Sequence, residues 1–341
     1  MIQIEEAIIR NIILNRVSIE ESKSVISNNL FDYSNEDEEE VLKRMFLRPF
    51  TSNNQTLEFK HSVNLSYNVL FTLVRNIYEG DDFIEQTINI TQHLISSSRH
   101  SNIKDGDLFI VKFDDIRLNN KYYEGVGVYK FEDKDSFIET SVVNKKMNLS
   151  FHKGIGHKKP DKACLVLFTE EPYTLLIIDS NSNETDYWQN DFINHKYKND
   201  DLNKTHNFLT LTKEFIKNQI PEDFEISKAD QIDFLNRSVD YFKKNEIFDK
   251  QEFEEEVFGD NNVIESFRKF DQAYRQENEV ELSDNFEISA QAVKKQARVF
   301  KSVLKLDKNF HIYIHGNREL IEQGIDENGR KYYKIYYENE V

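Results

Sequence analysis

The spacing of apolar positions changes character twice along the chain. In the first stretch, IEEAIIRNIILNRV, Ile9, Ile12, Ile13 and Val17 fall at intervals that suit a helix, while the β-branched content equally allows a strand. Residues 35–50 (NEDEEEVLKRMFLRPF) predict a helix, with acids at its start, Lys43, Arg44 and Arg48 towards its end, and Pro49 to stop it. Residues 64–98 read as helix broken near Gly80-Asp81-Asp82. From Asp105 the period drops to two. GDLFIVKFDDI, KYYEGVGVYKF, SFIETSVV, MNLSF, ACLVLF and YTLLIID are six predicted strands with hairpin-length links, hence a mainly antiparallel sheet.

Beyond Asp179 a polar stretch carries the single tryptophan, in Tyr187-Trp188-Gln189-Asn190-Asp191-Phe192-Ile193, and helical spacing returns. THNFLTLTKEFIKNQI is expected to end at Pro221. SKADQIDFLNRSVDYFKKN offers Ser227 as N-cap with Asp230 at the third helical position. DKQEFEEEVF and NVIESFRKFDQAYRQ follow. The chain then predicts a helix over residues 289–305, the strand FHIYIHG, and a hairpin turning at Asn328-Gly329. The expected fold class is α+β: a mainly antiparallel sheet with flanking helices, a helical region, and a small C-terminal helix and strand unit. The expected domains are 1–200, with helices in 1–100 and antiparallel strands in 105–180, and 201–341, ending in a basic helix and strands.

Composition narrows the class. Phe 26, Tyr 16 and Trp 1 are too many aromatics for a low-aromatic disordered chain. No apolar run approaches the roughly 18 residues of a membrane helix, and the acids in MIQIEEAIIR argue against a signal peptide. A cytoplasmic protein with no membrane partner is therefore expected. The single cysteine, Cys164, lies in an apolar run and is expected to be a buried, inert thiol.

The formal charge of −17 excludes a uniformly basic DNA-coating protein. Resolved along the chain, it hides two basic islands, residues 144–162 and 289–337, each with a net +5. Residues 252–287 alone carry −9. On the predicted C-terminal helix, Val293, Ala297, Phe300 and Leu304 form an apolar stripe, with Lys294, Arg298, Lys301 and Lys305 one residue behind. Like charges at that spacing repel, so either phosphate or the protein's own acidic segment is expected to offset them.

Alternation places Tyr332, Lys334 and Tyr336 on one face of the last strand and Tyr333, Ile335 and Tyr337 on the other. The preceding strand offers His311, Tyr313 and His315 on one face and Phe310, Ile312 and Ile314 on the other. This resembles a stacking platform for single strands, though such a pattern more often marks an ordinary half-buried sheet with tyrosines at its rim. Gly125, Gly127, Gly154 and Gly156 mark 125–156 as mechanically special. The loop around Gly154-Ile155-Gly156, with Lys153, Lys158 and Lys159, could offer backbone N–H groups to a phosphate or simply be solvated.

Catalytic signatures are absent: no HExxH, GxSxG or metal-type Cys/His spacing occurs, and His152/His157 and His311/His315 lack neighbouring acids. Glu58 and Lys60 with Asp114 and Asp115 are the only carboxylate-and-lysine set worth testing as a hydrolase or nuclease. No catalytic residue, metal or cofactor is expected.

Five stretches carry a resemblance that composition cannot. They are Asp105–Phe113 (DGDLFIVKF) with Tyr123–Lys130 (YEGVGVYK), Lys153–Leu167 (KGIGHKKPDKACLVL), Tyr187–Ile193 (YWQNDFI), Asn207–Lys217 (NFLTLTKEFIK), and Ala229–Phe258 (ADQIDFLNRSVDYFKKNEIFDKQEFEEEVF). Their order resembles the bacterial nucleoid-associated protein family of YejK/NdpA type, across nearly the whole chain. The resemblance implies a cytoplasmic, nucleoid-located protein with affinity for DNA, or RNA, and no enzymatic activity. It supplies no base-reading residues. The nucleic-acid contacts expected from charge are Lys294, Arg298, Lys301 and Lys305, with Lys153, Lys158 and Lys159. The alternative is an acidic adaptor or DNA mimic that binds a basic DNA-handling protein through the 252–287 surface.

Overall fold

The computed structural model describes residues 2–52, 55–98, 103–156, 158–180, 186–278, 280–297, 303–314 and 318–339. The chain divides into two units, Met1–Lys198 and Asn199–Val341.

In the first unit the elements run β1 (Ile2–Gln3), β2 (Ile8–Val17), α1 (Glu36–Leu47), β3 (Leu57–Phe59), α2 (Val69–Glu79), α3 (Phe83–Ser97), β4 (Gly106–Leu118), β5 (Lys121–Phe131), β6 (Asp135–Val143), β7 (Lys146–Gly154), β8 (Lys162–Leu167), β9 (Thr174–Asp179) and β10 (His195–Tyr197). The isoleucine-rich stretch that periodicity left open is strand β2. The described part of residues 1–100 therefore holds three strands besides its helices. The sheet order is β1-β4-β5-β8-β9-β3-β10, with β2 also on β4, and every described pairing is antiparallel. The fold class is α+β, as the pattern predicts.

The sheet is buried on both faces, and strict alternation sorts its side chains. Leu108, Ile110, Val126, Val128, Cys164 and Val166 pack with Leu70, Phe71 and Val74 of α2 and Ile90 and Leu94 of α3. Val111, Phe113, Tyr129, Phe131, Leu165 and Leu167 pack with Phe46 and Leu47 of α1. Trp188 joins the first layer from a π-helical turn, Trp188–Ile193, with Phe192 4.8 Å away. Cys164 is buried, and burial pushes its thiol pKa up, so it carries no thiolate chemistry. At Gly127 a Cβ would lie 2.2 Å from the Tyr129 hydroxyl oxygen, so only glycine lets that ring fold back along its own strand.

In the second unit the elements run α4 (Asp201–Glu214), α5 (Ile220–Asp223), α6 (Lys228–Lys244), β11 (Ile247–Asp249), α7 (Lys250–Val257), α8 (Asn261–Glu277), β12 (Asn285–Glu287), α9 (Ala290–Gln296), β13 (Val303–Leu306), β14 (Phe310–Tyr313), β15 (Ile321–Ile325) and β16 (Lys331–Ile335). Its core is a phenylalanine cluster. Phe208, Phe215, Phe242, Phe248, Phe253 and Phe267 meet at ring separations of 4.2 to 6.2 Å. The helix expected to end at Pro221 instead widens into a π turn over Phe215–Gln219 and continues to Asp223. The i→i+5 bond from Ile220 N–H to the Phe215 carbonyl accommodates a proline that an α-helical turn would reject. Ser227 and Asp230 form the full capping box at the start of α6.

Candidate nucleic-acid interface

The basic island 144–162 is built on a β-ribbon. Strands β6 and β7 pair from Asp135↔Gly154 to Val143↔Lys146 and form a separate two-stranded sheet. The turn residues Asn144 and Lys145 both have positive φ, 52° and 64°, the handedness a two-residue hairpin requires. The ribbon is inserted between β5 and β8, neighbours in the main sheet. Nearly all its side chains are exposed, on both faces.

The neck is pinned by buried charge. The Lys130 ammonium donates to Glu132 Oε1 at 2.9 Å, to the Lys104 carbonyl at 2.6 Å and to the Tyr187 hydroxyl at 3.2 Å; burial lowers its pKa, against the pull of Glu132. Lys162 donates to Asp179 Oδ1 at 2.6 Å and sits over the Tyr187 ring. Asp161 accepts from the Glu132 amide at 2.9 Å, so the two chains entering the ribbon are tied together.

This neck decides which lysines are available. Lys158 lies 3.2 Å from Asp161 and 3.8 Å from Asp133, and the Asp161 carboxylate raises its pKa. Lys162 is buried with Asp179. Lys145 and Lys146 at the tip, Lys153 at the base and Lys159 in the trailing loop are exposed, and among the described residues they have no acidic partner. His152 bonds Glu139 at 2.9 Å and stacks on Phe137. The phosphate-nest reading of Gly154-Ile155-Gly156 has no backbone to support it. Gly154 ends a strand, neither glycine has a positive φ, and His157 lies outside the described residues.

In the second unit the structure corrects the expected basic helix. α9 stops at Gln296, with Ala297 as its C-cap, and Lys305 sits in β13 rather than on the helix. Arg298 and Lys301 lie outside the described residues. FHIY needs a strand partner, and VLKL supplies it across a turn at Asp307, whose φ is 51°. Tertiary pairing overrides the helical spacing. Leu304 is still buried, but on a period of two, against Ala229 and Ile232 of α6. Lys305 faces outward opposite His311, beside Tyr313 and Val303. Lys294 is exposed on α9, whose Ala292 and Val293 are buried.

The acidic segment keeps its pairing largely to itself. Glu254 accepts two bonds from Arg268, and buried Asp271 receives Lys250 and Arg275, each at 2.6 Å. Among the described residues neither Lys294 nor Lys305 is paired with an acid. The tyrosine-rich hairpin follows the predicted alternation. Tyr333 packs towards the α6 cluster, the Tyr332 ring covers Gly324, and Lys334 lies 4.7 Å from the Tyr336 ring centre and 3.6 Å from Glu322.

The hydrolase set does not assemble. Asp114 lies beside a β-bulge with Asp115 and pairs with Arg10; Glu58 on β3 pairs with Lys196 at 3.3 Å. β4 and β3 are four strand spacings apart, about 19 Å at roughly 4.8 Å per step, too far to serve one reacting centre. Among the described residues no group of three His, Cys, Asp or Glu side chains could hold a metal ion. No described helix is long and apolar enough to cross a membrane.

Sequence reasoning found the strands of the ribbon but missed that it leaves the sheet. Met147, Leu149 and Phe151 alternate with polar residues just as a half-buried strand would. The available signal was the density of lysine at the turn and base. Comparison with curated proteins gives no match. Comparison with protein families matches residues 13–330 to NA37, described as nucleoid-associated protein YejK. That match covers nearly the whole chain, both units included, and so the chain belongs to the family of the nucleoid-associated protein YejK.

Proposed function

We propose that this protein binds DNA, and by the same phosphate chemistry RNA, without catalysis, through local basic surfaces on an otherwise acidic molecule. Membership of a nucleoid-associated family gives the setting. The observation that carries the reading is the set of exposed lysines with no acidic partner among the described residues, Lys145, Lys146, Lys153 and Lys159, on and beside a two-stranded ribbon. Most described bases elsewhere in that unit are ion-paired, for example Arg10, Arg16, Lys104, Lys112 and Lys134. A ribbon of this kind has the width that the major groove of duplex DNA admits. Lys294 and Lys305, with Arg298 and Lys301 from the same basic segment, form the second surface in this proposal.

The test is a salt-dependent anisotropy titration with duplex DNA, single-stranded DNA and RNA. Binding with a negative slope of log affinity against log salt supports the reading. Glutamine at Lys294, Arg298, Lys301 and Lys305 should flatten that slope. No binding to any of the three at low salt refutes the function, and an unchanged slope removes the second surface from it.

A second reading keeps one observation of its own. Glu256, Glu277 and Glu281 in the acidic segment have no salt-bridge partner among the described residues. They suit an adaptor for a basic DNA-handling protein. A pull-down whose basic partner survives nuclease treatment favours it, and loss of every partner on nuclease treatment counts against it.

A further inference from the structure

One face of the ribbon has no business in water. Cross-strand partners share a face, so Ile138/Phe151, Thr140/Leu149 and Val142/Met147 line up on the same side, followed by Ser136/Lys153 at the base. The two acids of the ribbon, Asp135 and Glu139, both fall on the opposite side. The apolar face is thus free of negative charge in a chain of net −17. Its exposure is large: Ile138 57%, Val142 70%, Met147 74%, Leu149 53% and Phe151 75%.

We propose that this face is the contact surface for a second copy of the same chain, the two ribbons packing apolar face to apolar face as a four-stranded, two-layer sandwich. Three observations select a second copy as the occupant. The first is stability. A lone two-stranded ribbon is marginal in water and needs a further layer, yet none of its large apolar side chains on this face is buried. The second is charge. Two copies of a −17 chain repel in general, and an acid-free patch is where they can approach without placing carboxylates together. The third is area. The five exposed fractions amount to roughly 600 Å² of apolar surface, already at the upper end of what a monomer usually leaves open. Facing copies would cover about 1,200 Å² between them, the lower bound of a standard specific interface. Lys145 in the turn and Lys146 on the opposite face stay uncovered in this arrangement, so self-association leaves the tip lysines open to phosphate, while Lys153, at the base of the apolar face, lies beside the contact.

The experiment is analytical ultracentrifugation of nuclease-treated full-length protein at tens of micromolar. The wild type should sediment at twice the 40.5 kDa chain mass. Leu149→Glu with Met147→Glu, both at exposed positions, should weaken the dimer by at least about tenfold while leaving the circular-dichroism melt in place. Thr140→Cys provides an independent readout. The native Cys164 is buried, so a short bis-maleimide should link two Thr140→Cys chains and leave wild type unlinked. A wild type that stays at the chain mass overturns the proposal. So does a dimer that both glutamates leave intact, or a double variant that loses DNA affinity with no change in self-association, which would assign the face to nucleic acid as an inserted apolar wedge.

Discussion

The sharpest prediction separates lysines that look alike in sequence. Replacing Lys145, Lys146, Lys153 and Lys159 together by glutamine removes the exposed bases of the ribbon that have no acidic partner among the described residues. Each phosphate neutralised on duplex DNA contributes about 0.9 to the slope of log affinity against log salt, so losing four such contacts lowers its magnitude by up to about 3.6. Over the range from about 50 to 200 mM salt, the advantage of wild type over variant then shrinks by up to roughly 100-fold. Lys158 supplies the control. Its ammonium is 3.2 Å from Asp161 and 3.8 Å from Asp133, so its charge is already compensated within the protein, and Lys158→Gln should leave the slope nearly unchanged. Fluorescence anisotropy on a short labelled duplex at five or so salt concentrations gives all three slopes. A quadruple variant with the wild-type slope refutes the ribbon as a phosphate-binding element. A Lys158→Gln slope change as large as that of the whole quartet refutes the argument that ion pairing decides availability.

Other consequences concern what holds the ribbon and the sheet. Lys162→Met strands buried Asp179 and should cost about 3–5 kcal/mol in chemical denaturation, whereas Lys162→Met with Asp179→Leu should recover most of it; equal losses in both would show that the pair is not coupled. Gly127→Ala drives a Cβ into the buried Tyr129 ring and should cost about 1–3 kcal/mol, and an unchanged melting temperature would contradict the close approach. His195 is held neutral by burial, with its pKa lowered to about 4, and burial lowers His93 and His206 in the same direction. The unfolded chain takes up protons below about pH 6.5 that the folded His195 refuses, so stability is full above that pH and falls as pH drops towards 4. His195 alone accounts for up to about 3 kcal/mol of that loss. His195→Gln should flatten the slope in pH-dependent denaturation, and an identical slope would remove His195 as its source.

How much of this was legible in the sequence depended on whether one local rule acted alone. The six strands from Gly106 to Asp179, the Gly80 break and the Ser227 capping box were all readable, because alternation, a positive-φ glycine and a short-range cap each operate within a few residues. The Ile8–Val17 segment was ambiguous because its apolar residues fit both periods; pairing with β4, about a hundred residues away, decides it. The C-terminal helix was overextended for the same reason. The spacing from Val293 to Leu304 is helical, but FHIY claims VLKL as a strand partner, and Lys305 goes with it. Of the candidate site, the excess of lysine in 144–162 was visible in composition. Which lysines are spent on Asp161, Asp133 and Asp179 was not, because those partners are set by the register of β8 with β5 and β9 and by the fold of the neck.

A net charge of −17 and a role at the nucleoid are reconciled by distance rather than by composition. Each ribbon strand is nine residues long, about 30 Å at roughly 3.3 Å per residue. Screening at physiological salt acts over about 8 Å, so the acids of the neck, Glu132, Asp133 and Asp161, are more than three screening lengths from Lys145 and Lys146 at the tip. Those neck acids are in any case occupied by Lys130, Lys104 and Lys158. Along the ribbon itself Glu139 is bonded to His152, and Asp135 sits at the base. A phosphate approaching the tip therefore meets two exposed ammonium groups and little of the acidic field behind them, while a phosphate approaching elsewhere on the unit meets bases that are mostly already paired. On the proposed reading, the same acidic field would disfavour indiscriminate contact with DNA and confine productive contact to the ribbon end, turning net charge from an argument against binding into a restriction on where binding occurs.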